Sequence, residues 1–495
     1  MRKVLFACSE VYPLIKTGGL ADVAGSLPPA LCELKHDVRI ILPAYTEALE
    51  AIGKTRCMAR LTLIQGEVRI LMGTMPNSQV KVWLVDYPPF FDRPGNPYTG
   101  PDNKPWHDNA DRFALFCRVI VEIVMKRSRL KWQPDIVHCH DWQTGLVPAL
   151  LSLEENPPAT VFTIHNLAYQ GLFPYSTFLA LGLSENLWSY DALEFHEKLS
   201  FIKGGLVFAD QITAVSPTYA REIQAPEFGY GLEGLLQHRS DCLTGILNGI
   251  DVDAWNPESD IYIAKHYSVR QVEMKQGNKK ALQQTFGLPE RSDIPLLGLI
   301  GRLVYQKGID IVLQAIHELM KIPVQLVILG TGELEYEQAL QKFAGQYPET
   351  ISVYSGYNEG LAHQIEAGAD MFLMPSRFEP CGLNQLYSLR YGTLPIVRNV
   401  GGLADTVNDA NEANLLSGKA NGVVFSGDQG WDLAQAVQRA LTLYDDKLTW
   451  KKLQITAMWR DSSWDHSAQE YIRLYDQVFN ANKKRLTSPE VVKTL

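Results

Sequence analysis

Short runs of apolar, mostly β-branched residues alternate along the chain with longer segments whose apolar positions recur every three to four residues. The runs at 4–8, 38–42, 80–85, 135–139, 160–164 and 211–215 read as strands of a first half. Those at 296–300, 324–329, 351–354, 371–374, 394–397 and 423–425 read as strands of a second half. Strands buried on both faces need continuous apolar runs, and helical periodicity between them points to βα units and parallel sheets. Val312, Ala315, Ile316 and Leu319 share one helical face, as do Leu20, Val23, Ala24, Leu27, Leu31 and Leu34. Two such sets predict an α/β protein built of two doubly wound domains rather than one giant sheet.

The seam is expected at 246–253. Asn248-Gly249 is a turn signal there, and Trp255-Asn256-Pro257 interrupts any helix that follows. The chain therefore divides into a first domain over 1–245, a second over 246–460, a helix over 461–480 and a polar tail over 481–495. Lys483-Lys484-Arg485 in that tail reads as a solvated end.

With 495 residues the chain has length for two to four domains, and 46% hydrophobic against 20% charged residues suits an ordinary globular protein. Lys and Arg number 46 against 55 Asp and Glu, a net charge of −9, which argues against a mainly electrostatic nucleic-acid binder. No stretch reaches the roughly 18 uninterrupted apolar residues of a spanning helix. The apolar run after Met1-Arg2-Lys3 meets Ser9-Glu10 at once, so it reads as a first strand and not a leader. Neither nucleic acid nor membrane is an expected partner. Seven scattered cysteines without a CxxC pair look like reduced, mostly buried thiols, which points to the cytoplasm.

Several strand ends carry candidate chemistry. Lys16-Thr17-Gly18-Gly19-Leu20 combines a cation with glycines opening a helix, a pattern that can hold phosphate or simply turn the chain. It is neither GxxxxGK[ST] nor GxGxxG, which removes the main sequence support for hydride transfer by a dinucleotide enzyme. Gly18-Gly19-Leu20-Ala21-Asp22 returns as Gly401-Gly402-Leu403-Ala404-Asp405: either turn chemistry twice, or one glycine-rich helix start per domain at a strand's carboxyl end. In Gly301-Arg302-Leu303-Val304-Tyr305-Gln306-Lys307-Gly308, two cations five residues apart can converge on one diphosphate or lie on the surface. Gly330-Thr331-Gly332-Glu333 is a similar turn. Glu379, in the loop Pro375–Gln385, is placed for the amides of Cys381, Gly382 and Leu383 to join it on a polar ligand, or is a solvated loop carboxylate.

His138 and His140 share a strand face, and His165-Asn166 ends the next strand. No third ligand stands at a recognisable spacing, so a sugar or phosphate pocket suits them better than a metal. Asp251-Val252-Asp253 holds a divalent ion with a nucleotide on one reading and caps a turn on the other. No metal ligand is assigned. Trp83, Tyr87, Phe90, Phe91, Tyr98, Trp106 and Trp142 are either core or platforms for sugar rings.

Taken together, K-T-G-G-L at 16–20, H-C-H-D-W at 138–142, H-N at 165–166, G-R-L-x-x-Q-K-G at 301–308, E-P-C-G-L at 379–383 and G-G-L-x-D-T-V at 401–407 resemble the bacterial glycogen and plant starch synthases, in order, over residues 3 to about 480. The resemblance implies the GT-B fold, two Rossmann-like domains facing across a deep cleft, with the C-terminal helix crossing back to the first. It implies glucose transfer from ADP-glucose to the non-reducing 4-OH of an α-1,4-glucan with retention, elongating glycogen and needing neither metal nor other cofactor. By the same resemblance, Lys16, His165, Arg302, Lys307 and Glu379 are catalytic. Lys16, Gly18, Gly19, Asn248, Arg302, Lys307, Tyr357, Glu379, Cys381, Gly382 and Leu383 bind ADP-glucose, with Tyr357 on the adenine. Glu10, Tyr98, Asp141 and Trp142 form the acceptor wall. Many retaining relatives carry a second Glu eight residues after the first; this chain has Tyr387, as that branch does, which favours it over UDP-sugar enzymes. With no obvious covalent nucleophile, front-face, leaving-group-assisted transfer is expected. The rivals are an enzyme of the same fold using UDP-glucose or a different acceptor, an α-glucan phosphorylase, whose cofactor lysine and greater length are not evident, and a non-catalytic glucan binder.

Overall fold

The computed structural model describes residues 1–102 and 104–487. It divides into two compact units, Met1–Gly249 joined by the segment from Trp464 on, and Ile250–Ser463. The first unit carries a nine-stranded sheet whose members are β1 (Lys3–Ala7), β2 (Asp37–Pro43), β3 (Arg56–Leu63), β4 (Gly66–Thr74), β5 (Lys81–Asp86), β6 (Ile136–His140), β7 (Ala159–Ile164), β11 (Gln211–Ala214) and β12 (Leu243–Gly245). Between β7 and β11 lies a small sheet of β8 (Leu172–Pro174), β9 (Glu194–Phe195) and β10 (Lys198–Ser200).

The large sheet runs β12-β11-β7-β6-β1-β2-β5-β4-β3, parallel except for the β3–β4 and β4–β5 pairs. Starting from β1 the chain winds outward one way to β2 and β5, then returns to β6 on the other side of β1 and winds outward the opposite way. The switch point is therefore the β1–β6 boundary, where open α/β sheets bind ligands beyond the strands' carboxyl ends. Val4–Ala7 and Ile136–His140 are wholly buried, as central parallel strands must be.

The second unit holds a six-stranded parallel sheet of β13 (Leu296–Ile300), β14 (Gln325–Gly330), β15 (Ile351–Ser355), β16 (Met371–Met374), β17 (Leu394–Arg398) and β18 (Val423–Phe425). Its order, β15-β14-β13-β16-β17-β18, puts the switch between β13 and β16. The helix Ile309–Leu319 buries the predicted face of Val312, Ala315, Ile316 and Leu319 in the core beneath this sheet. The doubly wound α/β expectation holds in both units.

The unit boundaries differ from the sequence reading by a few residues, for local reasons. Residues 246–249 stay with the first unit because β12 pairs with β11 and the Ile246 amide continues the ladder to Ala214 O at 2.9 Å. At the other end the Ile250 amide donates to Ser462 O at 2.8 Å, so 461–463 stay with the second unit. The C-terminal helix then spans Asp465–Thr487, running through the start of the segment expected as a tail; the rest of that tail, 488–495, lies outside the described residues. This helix belongs to the first unit: Tyr475 hydroxyl meets His138 Nδ1 at 2.8 Å, and Arg2 pairs with Asp476 at 2.7 Å. Among the described residues no helix is long and apolar enough to cross a membrane.

Candidate active site

In the second unit the switch point joins the two most charged motifs. β13 ends in Gly301-Arg302, and a tight turn over Tyr305–Lys307 leads through Gly308 into the helix Ile309–Leu319. β16 ends in the loop holding Ser376 and Glu379, and there the two loops touch. Gly308 has φ +68°, and a Cβ there would stand 2.1 Å from Pro375 O, so only glycine lets them approach this closely. The result is an ion pair between half-buried Lys307 Nζ and buried Glu379 Oε2 at 2.5 Å, to which the Ser376 hydroxyl also donates at 3.0 Å. Gly308→Ala is expected to lower unfolding stability by about 2–4 kcal/mol, adding left-handed strain to a backbone clash, measurable as a lower urea midpoint at unchanged slope.

Arg302 is exposed, and its Nη2 lies 3.4 Å from Gln306 Oε1. Gln306 in turn accepts from the Arg377 amide at 2.8 Å, so the cation-bearing turn is tied to the Glu379 loop by main chain as well. Past Glu379 the chain is pinned from behind: the Gly402 amide donates to Glu379 O at 3.1 Å, and a Cβ on Gly402 would fall 2.1 Å from Cys381 O. The Gln385 side-chain Nε2 donates to Cys381 O and Gly382 O at 3.0 and 2.9 Å, which fixes the turn leading through Leu383 into the helix Asn384–Arg390. Tyr357, after β15, is 69% exposed with its hydroxyl bonded to Glu359. Tyr387 is buried, stacked on Trp255 at 3.8 Å with 10° between rings.

In the first unit the loop after β1 and the ends of β6 and β7 form a second cluster at the other switch point. Glu10 is buried, and its Oε2 accepts from the Thr17 amide at 2.5 Å, the Thr17 hydroxyl at 2.9 Å and the Gly18 amide at 3.1 Å. Its Oε1 accepts from the Tyr98 hydroxyl at 2.9 Å. Glu10 thus shapes the Lys16–Gly19 loop, a support the wall reading did not include. Burial raises its carboxyl pKa, against the pull of those donors. Lys16 Nζ sits 2.8 Å from Asp22 Oδ1, one turn into the helix Gly19–Glu33 that Gly18 opens. Asn248 is buried, and its Oδ1 has no hydrogen-bond partner among the described residues.

Asp141 has φ +56°, a strained value for a side-chain-bearing residue. That bend aims its Oδ1 at the His165 amide, 2.7 Å away, and at the Asn166 amide, 3.4 Å away. Burial pushes the Asp141 pKa up to about 7, opposed by those amides and reinforced by the nearby Glu10 charge. His165 is pushed down to about 3 by burial, so its ring is neutral at physiological pH. Trp142 is half-buried and packs edge-on against Phe113, 5.0 Å away.

The comparisons with known proteins agree along the length of the chain. Residues 3–238 match the starch synthase catalytic domain family, and 282–453 match glycosyl transferases group 1. Glycogen synthase 1 of Methylococcus capsulatus is 54% identical over 473 residues, 96% of each chain. Glycogen synthase of Cellvibrio japonicus is 55% identical over 477 residues, 96% of this chain and 99% of that one. The chain belongs to the bacterial glycogen synthase family. The solved catalytic domain of starch synthase IV from Arabidopsis thaliana, bound to ADP and acarbose, is 33% identical with a TM-score of 0.89, covering 97% of this chain and 99% of that one. The GT-B fold and glycosyltransferase class follow. A sucrose-phosphate synthase from Thermosynechococcus elongatus, at 15% identity and TM-score 0.60, shares the fold alone.

Within this glycogen synthase family member the structure brings Lys307 to Glu379 and gathers Glu10, Tyr98, Asp141 and His165. The open readings also resolve. Asp251 Oδ1 accepts from the Asp253 and Ala254 amides, each at 3.0 Å, which is turn duty. His138 has both ring nitrogens engaged, by Tyr475 and Thr163. Both copies of the Gly-Gly-Leu-Ala-Asp echo open helices, but around the first a Cβ on Gly18 meets open space, while the second is wedged against Cys381. Trp83 and Phe91 are core, whereas Tyr98, Trp106 and Trp142 are only half-buried. Ser376 and Asp22, which hold Glu379 and Lys16, lie inside singled-out motifs, but no sequence signal assigned either a role of its own.

Proposed function

We propose that this glycosyltransferase moves glucose from ADP-glucose to the non-reducing-end 4-hydroxyl of an α-1,4-glucan, retaining the anomeric configuration and so elongating glycogen. The observation that carries the reading is the Lys307–Glu379 pair at the β13–β16 switch point, with Arg302 on the same turn. Breaking the bond from glucose C1 to the phosphate oxygen leaves negative charge on the diphosphate and positive charge on the sugar ring. Arg302 and Lys307 answer the first, and the ion pair to Glu379 holds Lys307 in place before the charge develops. Glu379 and the amides of Cys381, Gly382 and Leu383 take the glucose hydroxyls, and Tyr357 offers an exposed ring to the adenine. The acceptor oxygen bonds to C1 on the face the phosphate leaves, and its proton passes to the departing phosphate oxygen. Glu10, Tyr98, Asp141 and Trp142 serve the acceptor glucan.

Two protein cations supply the positive charge that diphosphate departure needs, so the reaction is metal-independent and turnover is expected to persist within twofold in excess EDTA. A cytoplasmic setting is supported by seven cysteines, all free thiols, four of them buried. Incorporation of labelled glucose into glycogen tests the reading. ADP-glucose should exceed UDP-glucose at least tenfold in kcat/KM, with new α-1,4 linkages in the product; equal use of both donors, or no transfer from ADP-glucose, contradicts it.

A further inference from the structure

His140 is the last residue of β6 and is wholly buried, its ring stacked on Phe6 with centroids 3.9 Å apart and 30° between planes. Its Nδ1 lies 2.9 Å from His165 Nε2, while its own Nε2 has no hydrogen-bond partner among the described residues. The neighbouring Asp141 holds the His165 amide. Two consecutive residues at the end of β6 therefore grip His165, one by its main chain and one by its ring. The parallel register, which sets His140 opposite Thr163, is what places both within reach.

Burial keeps both rings neutral, depressing His140 as well as His165. One proton therefore lies in the bond between them, and it belongs to one ring or the other. If His165 donates from Nε2, then His140 carries its proton on Nε2, a buried N–H with nothing to receive it. If His140 donates from Nδ1, its Nε2 is left as a bare lone pair, and His165 carries its proton on Nδ1. An orphaned buried N–H is the rarer defect, and the second arrangement avoids it.

We infer that His140 is a positioning residue that donates from Nδ1 to His165 and so fixes His165 as the tautomer presenting Nδ1–H. This rests on the catalytic role that the family resemblance implies for His165, which we take to be an approach to the donor glucose near its reacting centre: an N–H there offers a hydrogen bond to a sugar hydroxyl at all working pH values. A ring free to flip or to change tautomer would offer a donor only part of the time.

Nitrogen NMR of the histidine-labelled wild-type protein reads the tautomer without reference to activity. A proton on His165 Nδ1 with a bare Nε2 is expected; a proton on Nε2 overturns the inference. In kinetics, His140→Phe keeps a ring against Phe6 but removes the donor, and it should lower kcat about 10- to 100-fold with the KM for glycogen within twofold. His140→Asn restores an N–H near the position of Nδ1 and should recover turnover to within about fivefold of wild type. Unchanged kcat in folded His140→Phe, or equal impairment of both folded variants, overturns it too. Should the wild-type protein transfer no glucose from ADP-glucose, the functional reading fails, and the tautomer measurement still decides the role of His140.

Discussion

Arg302→Ala should lower turnover with ADP-glucose by about 10²–10³-fold, the cost of removing one preorganised group facing developing charge, and leave the unfolding midpoint nearly unchanged. Arg302 is exposed, so truncating it should change stability by no more than about 0.5 kcal/mol. Lys307→Ala should produce a loss of the same order but with a different companion effect. Glu379 is 5% exposed and, among the described residues, would keep only the Ser376 hydroxyl as a side-chain partner, so about 1–3 kcal/mol of stability should go with the lysine. Steady-state rates alongside urea unfolding separate the two effects. Near wild-type turnover in both variants would remove the leaving-group role.

Asp141→Asn should lower turnover by up to about 10²-fold, what a misplacement of about 1 Å near the reacting groups can cost, while making the protein more stable at neutral and alkaline pH. The asparagine oxygen still accepts from the His165 and Asn166 amides, so the local backbone has reason to persist. What disappears is a buried negative charge. With the folded pKa near 7 and the unfolded one near 4, the folded chain retains a proton over that window that the unfolded chain has released. Wild-type stability from this group is therefore fully present below about pH 4, falls as pH rises to 7, and is flat above. Asparagine does not titrate, so the variant's relative gain should grow from about pH 4 to about pH 7 and then level, at no more than about 4 kcal/mol. A gain that is constant with pH would show that Asp141 ionises normally. His165, held neutral down to about pH 3, should add no step to the pH–rate profile between 5 and 9.

The parallel strands could be read from the sequence because central strands have no solvent face and so appear as unbroken apolar runs. The hairpin of β3 and β4 escaped that reading: residues such as Arg56, Arg60, Glu67 and Arg69 alternate through it, one face is wet, and β3 is a charged edge. β12 and the three strands of the small sheet are two or three residues long, too short for any period to show. In the site, cations and glycines near strand ends were visible, because a turn after a parallel strand is where ligands bind. Their pairings were not. Lys307 and Glu379 are 72 residues apart and meet only because β13 and β16 are neighbours. His140 and His165 meet through the register of β6 on β7, and the role of Glu10 depends on a loop doubling back on its own carboxylate. Sheet order and register, which local pattern does not encode, decide these contacts.

A crystal structure of the protein with ADP bound tests most directly whether diphosphate departure is driven by these cations. Diphosphate oxygens within about 2.7–3.2 Å of the Arg302 guanidinium and Lys307 Nζ, hydrogen-bond distance for charged donors, are the predicted outcome, with the adenine against Tyr357. ADP bound with its diphosphate away from both side chains would contradict it.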